Sequence, residues 1–335
     1  MKKKEAKISI LIPCYNKTDF YPRLFKSLIN QKDKNFKIVF VNDASTDNTQ
    51  AILEDFKQKY SNLFDIKIYQ LEQNSGLAFV RNFLISKTET EYFYFLDSDD
   101  IITKNAMKHY NKALEKKPNC EIYYSNHSLT YNNIRIPNIQ RNYFMRFIKT
   151  KKQKMEYLKY GSAYIWNKAI KTEWFKQFGM SFLNGYLFED FPICFSIFLS
   201  AKNTHFINKI TYKYFLNSQG LSSGNSPKRI LGIAKNLDYL YSKLEEINTQ
   251  NMFSNRIESI FFKNLIYYIF KRKSFKVVTK NTELYREVFE EFFEVAKKYN
   301  FEHKYKKYQN KFSFVFKSSL KRLKKLEGIY WNEQK

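Results

Sequence analysis

Tyr92-Phe93-Tyr94-Phe95-Leu96-Asp97-Ser98-Asp99-Asp100 is an unbroken apolar run that ends on three carboxylates. A short apolar run closed by turn residues reads as a strand buried on both faces. The same strand signal occurs three times upstream, at Ile8 to Pro13, Phe36 to Val41 and Ile66 to Leu71. Helical patterns follow each strand. Between Thr18 and Gln31 the residues Phe20, Leu24, Phe25, Leu28 and Ile29 share one face, and further helices are expected from about Ser45, near Gly76 and from about Thr103. Strands alternating with helices predict an α/β fold, a Rossmann-like, mostly parallel sheet with flanking helices. Ligands bind such sheets beyond the carboxyl ends of the strands. Four groups of polar residues fall there: Pro13, Tyr15 and Asn16; Asn42, Asp43, Ser45 and Asp47; Asn74 and Gly76; and Asp97, Asp99 and Asp100. Singly each is also an ordinary turn or cap, with Ser45 or Thr46 expected to cap the second helix. Their convergence on one sheet edge predicts a binding crevice.

The chain has 335 residues, with 58 Lys and Arg against 32 Asp and Glu, a formal charge of +26. A hydrophobic content of 44%, with 19% aromatic, supplies a large core and excludes a disordered basic tail. No block recurs at a fixed period, which excludes a repeat array. The charge admits nucleic acid, an anionic membrane or a phosphorylated substrate as partner. It is also what a bias toward Lys, Asn, Ile, Phe and Tyr at the expense of Gly and Pro would produce unaided. Cys14, Cys120 and Cys194 are scattered and odd in number, which favours a reducing, cytoplasmic compartment over a disulfide framework or zinc site. Lys2 to Lys4 before Ile8 to Ile12 has the outline of a signal peptide, but the apolar run stops at Pro13, so it reads as the first strand. No apolar stretch reaches the ~20 residues of a membrane span.

Asp97, Asp99 and Asp100 raise one another's proton affinity unless a cation offsets them. Their hard oxygen ligands suit Mg²⁺ or Mn²⁺, with a substrate diphosphate completing the coordination. The alternative is a solvated turn in which Asp100 or Thr103 caps the next helix. No P-loop and no spaced glycines after the first strand are present, so a nucleotide would be held through a metal rather than by a glycine-rich cradle.

Taken in order, Ile10-Leu11-Ile12-Pro13-Cys14-Tyr15-Asn16, Val41 to Thr49, Asn74-Ser75-Gly76 with Arg81-Asn82, and Phe95 to Asp100 resemble family 2 glycosyltransferases with the GT-A fold, of the kind that builds bacterial surface polysaccharides. The resemblance spans roughly the first 110 residues and implies a UDP-sugar donor. By resemblance Pro13, Tyr15 and Asn16 line the nucleotide pocket and Asp43 accepts a hydrogen bond from the uracil ring. Asn74, Gly76 and Ser98 fall in the same donor loops. Arg81 supports the donor site or forms a surface salt bridge. Asp97 faces ribose or sugar and adjoins the metal, and Asp99 binds Mn²⁺ or Mg²⁺.

Further along, Ala163-Tyr164-Ile165-Trp166-Asn167-Lys168 resembles the family's acceptor side, so Trp166 and Lys168 are acceptor candidates; a core tryptophan is the alternative. The segment after Asn126, basic and aromatic, reads as an insertion or mobile loop. Glu189-Asp190 opens an apolar helix, and the resemblance implies Asp190 as general base, with Glu189 second; either also serves as a helix cap. Tyr212-Lys213-Tyr214-Phe215 resembles a Tyr-x-Tyr strand, with Phe215 where many relatives are basic and with Lys213 or Ser222 as substitutes. The missing Gln-x-x-Arg-Trp motif favours transfer of a single sugar over polymerisation.

The expected organisation is a catalytic domain over residues 1–226, with 1–110 binding the nucleotide-sugar and 111–226 the acceptor, then a basic helical region over 227–335. Lys304 to Lys325 has many basic residues, no acidic one, and Phe312, Phe316, Leu320 and Leu323 on an apolar face. It reads as a peripheral anchor on an anionic membrane at the inner face of the cell membrane, or as a helix docked on the protein. The function expected is an inverting hexosyl or N-acetylhexosaminyl transferase acting on a glycan or lipid-linked acceptor in capsule, lipooligosaccharide or other surface-polysaccharide synthesis, with no nucleic acid as partner. The alternatives are an inactive sugar-nucleotide-binding scaffold and a basic nucleic-acid-binding protein.

Overall fold

The computed structural model describes residues 5–131, 134–138, 150–160, 163–216 and 227–246, with Ile148 and a few positions between 290 and 299. The chain divides into two compact units, Met1–Gly185 with Glu189–Ser223, and Tyr186–Phe188 with Gly224–Lys335.

In the first unit β1 (Ile8–Cys14), α1 (Tyr21–Ile29), β2 (Lys37–Asn42), α2 (Thr49–Tyr60), β3 (Asp65–Gln70), α3 (Leu77–Ser86) and β4 (Tyr92–Phe95) follow in turn. Then come β5 (Ile101–Ile102), α4 (Ala106–Lys116), β6 (Ile122–Tyr131), β7 (Ile134–Asn138), α5 (Lys151–Tyr160), β8 (Lys168–Lys171), α6 (Thr172–Gln177), α7 (Asp190–Ser200) and β9 (Thr204–Phe215). A short 3₁₀ turn, Thr18–Phe20, leads into α1, whose Pro22 lies in the first turn, where the missing N–H costs nothing. The strands form one nine-stranded sheet in the order β3-β2-β1-β4-β8-β6-β9-β5, with β7 on the edge of β6. Pairing is parallel from β3 through β4, as the alternation of strands and helices requires. Beyond β4 the sheet is mixed: β8 runs antiparallel to both β4 and β6, while β6 and β9 are parallel.

All of β1 is buried, since helices cover both faces. Ile8, Ile10 and Ile12 face Leu24 and Leu28 of α1, Leu53 and Phe56 of α2 and Tyr110 of α4. On the other face Phe93 and Phe95 pack edge-on against Phe175 and Phe182. Each such side chain removed from water contributes ~1.5–3 kcal/mol. This two-sided packing fixes the β1 and β4 ends from which the polar loops project.

The segment after Asn126, expected as an insertion or mobile loop, continues β6 to Tyr131 and pairs with β7; residues 139–147 lie outside the described residues. In the second unit α8 (Pro227–Glu246) begins at the proline expected to break the chain. There Tyr299 donates to Asp238 and packs its ring, tilted, against Tyr241, and Lys235 pairs with Glu291. Ser222 and the basic segment Lys304 to Lys325 lie outside the described residues. Among the described residues no helix is long and apolar enough to cross a membrane.

Candidate active site

The loops after β1, β2 and α3's leading turn are stitched together. Asn16, in the left-handed region at φ 47, donates its backbone N–H to Ser45 Oγ (3.1 Å) and accepts at Oδ1 from the Thr46 backbone (2.9 Å). Ser45 and Thr46 therefore do not cap α2 as expected. The cap position is Asn48, and Asp47 Oδ1 accepts from the Thr49 N–H at 3.0 Å. Asp43 is buried and holds the third loop: Oδ1 accepts from Ser75 N (2.7 Å), Oδ2 from Gly76 N (2.9 Å) and from Asn74 Nδ2 (3.2 Å). Gly76 sits at φ 83, ψ 160, a region only glycine occupies without strain. Pro13 is buried at the end of β1, while Tyr15 is exposed beside it.

Arg81, expected either at the donor site or in a surface salt bridge, is 2% exposed and is the centre of an acidic cluster. Nη1 donates to Glu189 Oε1 (2.7 Å) and to Asp190 Oδ1, and Nη2 donates to Asp97 Oδ1 (3.1 Å). A residue of α3 thus gathers the end of β4 and the start of α7. Burial opposes the guanidinium's charge, but Asp190, Asp97 and Glu189 more than offset it and hold its pKa above the ordinary value. The carboxyls respond the other way. Burial pushes Asp97 and Asp190 up to about 6 despite Arg81, and raises Glu189 as well. Asp190 Oδ2 also accepts from the Ile165 N–H at 3.1 Å, which fixes the carboxylate plane. Neither acid caps α7 through its side chain; Glu189 stands at the cap position without a capping hydrogen bond.

The remaining two aspartates have separate surroundings. Asp100 is fully buried, accepting from Tyr212 OH (2.7 Å) and Phe215 N (2.8 Å), so it ties β9 to the loop instead of capping α4. Burial holds its pKa well above the ordinary range. Thr103 likewise donates to Ile210 O at 3.0 Å rather than capping α4, which begins after Asn105. Asp99 remains partly exposed. Its Oδ2 is 3.2 Å from Lys17 Nζ, and its carbonyl accepts from Arg23 Nη2. The Arg23 guanidinium lies 4.0 Å over the Phe215 ring. The cation next to this loop therefore comes from α1. Lys213 lies on the opposite face of β9 from Tyr212 and Tyr214, among the residues lining a basic groove of about 560 Å³ with Lys26, Lys104 and Lys209.

Two acceptor candidates are corrected by burial. Trp166 and Lys168 are each 2% exposed. Trp166 is stacked between Tyr164 (4.6 Å) and Tyr212 (4.4 Å), so neither ring face is open to a sugar. Lys168 Nζ donates to Tyr164 O (2.6 Å) and Asn167 Oδ1 (3.0 Å), and burial lowers its pKa. The aromatic face on the surface is that of Tyr164, 44% exposed. Beneath the stack His127 meets Trp166 edge-on at 4.7 Å, and burial lowers its pKa to about 4, so it is neutral.

Residues 9–179, which carry all four strand-end loops and Arg81, match the sequence model of glycosyl transferase family 2. The chain belongs to that family. This glycosyltransferase is 30% identical over 298 residues, 85% of its length, to a processive diacylglycerol beta-glycosyltransferase of Mycoplasma genitalium, of which it covers 87%. Among solved structures it shares its fold with TarS 1-349 of S. aureus in complex with UDP, at a TM-score of 0.65 and 19% identity, covering 86% of this chain and 80% of that one. A mannosyltransferase from Pyrobaculum calidifontis in complex with GDP-Man and Mn²⁺ has the same fold at a TM-score of 0.54 and 10% identity, covering 90% and 88%.

Sequence reasoning missed Lys17, Arg23 and Tyr164 in this glycosyltransferase. Lys17 directly follows the Tyr15-Asn16 loop, which was the available signal. Arg23 had none, because a cation on an amphipathic helix normally faces solvent. Tyr164 lies two residues from Trp166 in the segment before β8, and nothing in the sequence decides which ring is outermost.

Proposed function

We propose that this glycosyltransferase moves a hexosyl or N-acetylhexosaminyl group, one sugar at a time, from a UDP-sugar to a hydroxyl of a lipid-linked acceptor at the inner face of the cell membrane, with inversion at the anomeric carbon. The observation that carries the reading is the gathering of Asp97, Glu189 and Asp190 on buried Arg81, beside Asp99. UDP in the TarS complex and diacylglycerol in the name of the Mycoplasma relative support the choice of donor and acceptor.

Asp190 is the base. A carboxyl that titrates near 6 is ionised at neutral pH yet takes up a proton more readily than an ordinary aspartate. Arg81 and the Ile165 N–H hold it in one orientation, so the acceptor hydroxyl meets a preset oxygen. The acceptor O–H bond breaks toward Asp190 as the oxygen forms its bond to the anomeric carbon, and the bond to UDP breaks on the opposite side. Glu189, more buried and bonded to the same Arg81 nitrogen, positions the guanidinium. The exposed ring of Tyr164 offers a platform for the acceptor's apolar face, in place of Trp166.

Among the described residues no group of three or more His, Cys, Asp or Glu side chains is placed to hold a metal ion, the three carboxylates on Arg81 being taken up by the guanidinium. Mg²⁺ is commonly held by one or two carboxylates plus donor phosphates, and Asp99 is the partly exposed carboxylate that would hold it here. Asp97, expected as a second ligand, gives Oδ1 to Arg81. When bound, Mn²⁺ or Mg²⁺ would neutralise charge developing on the departing diphosphate.

The decisive experiment combines melting with transfer. UDP with Mn²⁺ should raise the melting temperature and Asp99→Ala should abolish the rise; an unchanged wild-type melting temperature would count against the reading. A panel of UDP-sugars offered with diacylglycerol should identify the donor, and the product ladder should show whether one sugar or several are added.

A further inference from the structure

Lys17 stands directly before the 3₁₀ turn Thr18–Phe20, on the loop that also carries Tyr15 and Asn16. Its ammonium is 3.2 Å from Asp99 Oδ2 and 5.0 Å above the Phe20 ring. The two charged side chains are each about a quarter exposed, at 25% and 23%, so the pair is accessible from solvent. Asp99 has a second hold besides Lys17. Its backbone carbonyl is held by Arg23, whose guanidinium is in turn seated 4.7 Å over Phe20 and 4.0 Å over Phe215. The arginine, seated on two rings, holds the Asp99 backbone, whereas the lysine meets the carboxylate as a compact charge on a flexible four-carbon stem.

We propose that Lys17 is a built-in stand-in for the divalent cation at Asp99: it occupies the carboxylate while the donor site is empty and moves onto the donor's diphosphate when the cation arrives. The inference rests on the reading of Asp99 as the metal carboxylate and of the β1 loop as part of the donor site. Two cations cannot share one carboxylate oxygen without strong repulsion, so a divalent ion arriving at Oδ2 displaces the ammonium. Without the donor, the displaced ammonium loses its partner. With the donor, it gains phosphate oxygens in a charge-assisted hydrogen bond, and the Arg23 tether keeps the Asp99 loop in place meanwhile. Cation and nucleotide therefore bind cooperatively, and linkage requires the effect to be mutual.

Calorimetric titration of Mn²⁺ with and without UDP, and of UDP with and without Mn²⁺, tests this on wild type, Lys17→Met and Lys17→Arg. In Lys17→Met, Mn²⁺ alone should bind roughly three-fold tighter because its competitor is gone, while UDP in the presence of Mn²⁺ should bind about ten-fold weaker because a charged contact is lost. Lys17→Arg, which keeps the charge, should restore weaker Mn²⁺ binding. Opposite shifts in the two affinities are the signature. Parallel weakening of both ligands, or no change in either, would overturn the proposal and leave Lys17 a structural ion pair. Wild-type protein that binds no UDP with or without Mn²⁺ would overturn the donor-site reading itself.

Discussion

Arg81 and Asp190 lie 109 residues apart in the chain, yet they share a hydrogen bond inside a cluster where the same guanidinium also holds Asp97 and Glu189. One guanidinium faces three carboxylates, and the buried Lys168 adds a second positive charge acting on Asp190. Burial is the main reason the acids titrate high, Arg81 opposing it, and the three buried carboxylates are the reason Arg81 cannot be spared.

Arg81→Met would leave three carboxylates buried without a counter-ion. Breaking one partner out of a buried ionic group costs ~3–5 kcal/mol, and the loss should appear in urea unfolding as a lower midpoint at unchanged slope. Arg81→Lys keeps the charge but not the two-pronged geometry. It should recover part of the stability while transfer stays impaired, a split that a purely structural arginine would not show.

Asp190→Asn removes the base and one negative charge from the cluster. Transfer should fall by about 10²–10⁴-fold with UDP affinity retained, as measured by initial rates and calorimetry. In the wild type the acid limb of kcat/KM should lie near pH 6, because Asp190 is protonated and unable to accept the hydroxyl proton below that value and is ionised above it. A limb near the ordinary aspartate value would rule Asp190 out as the titrating base.

At Gly76 a Cβ would meet no atom within 4 Å, so any cost of Gly76→Ala comes from the backbone at φ 83 alone. That cost is ~1–3 kcal/mol. Asp43→Ala removes the acceptor for Ser75, Gly76 and Asn74 together, and should weaken UDP binding more than Gly76→Ala does, with a lowered melting temperature in both.

Tyr164 and Trp166 are stacked 4.6 Å apart but differ in exposure, and their variants should separate accordingly. Tyr164→Ala should raise the acceptor KM with UDP affinity and melting temperature little changed. Trp166→Ala should cost ~3–5 kcal/mol of stability, seen in denaturant unfolding, because it leaves a cavity between Tyr164 and Tyr212.

Much of the site was legible because its loops are short and directly follow buried strands. Asp43, Asn74, Gly76, Asp97 and Asp99 each stand within a few residues of an apolar run whose end is plain in the sequence. The acceptor side was less legible. Lys168 opens β8 and Trp166 lies two residues before it, and the choice between a core and a surface position was made by β9, which brings Tyr212 against Trp166 from a separate part of the chain.

The same division separates what the sequence determined from what the tertiary structure decided. Apolar runs, helical periodicity and turn residues act over a few positions, so the order of elements, the parallel half of the sheet and the edge carrying the polar loops were already set in the sequence. Which groups meet was decided over long separations: Lys17 with Asp99 across 82 residues, Arg81 with Asp190 across 109, Asp100 with Tyr212 across 112. Charge and hydrogen-bonding strength depend on burial and on the neighbour a residue is folded against. A run of three aspartates could therefore announce a site, but only packing could assign one to Arg81, one to Lys17 and one to the buried end of β9.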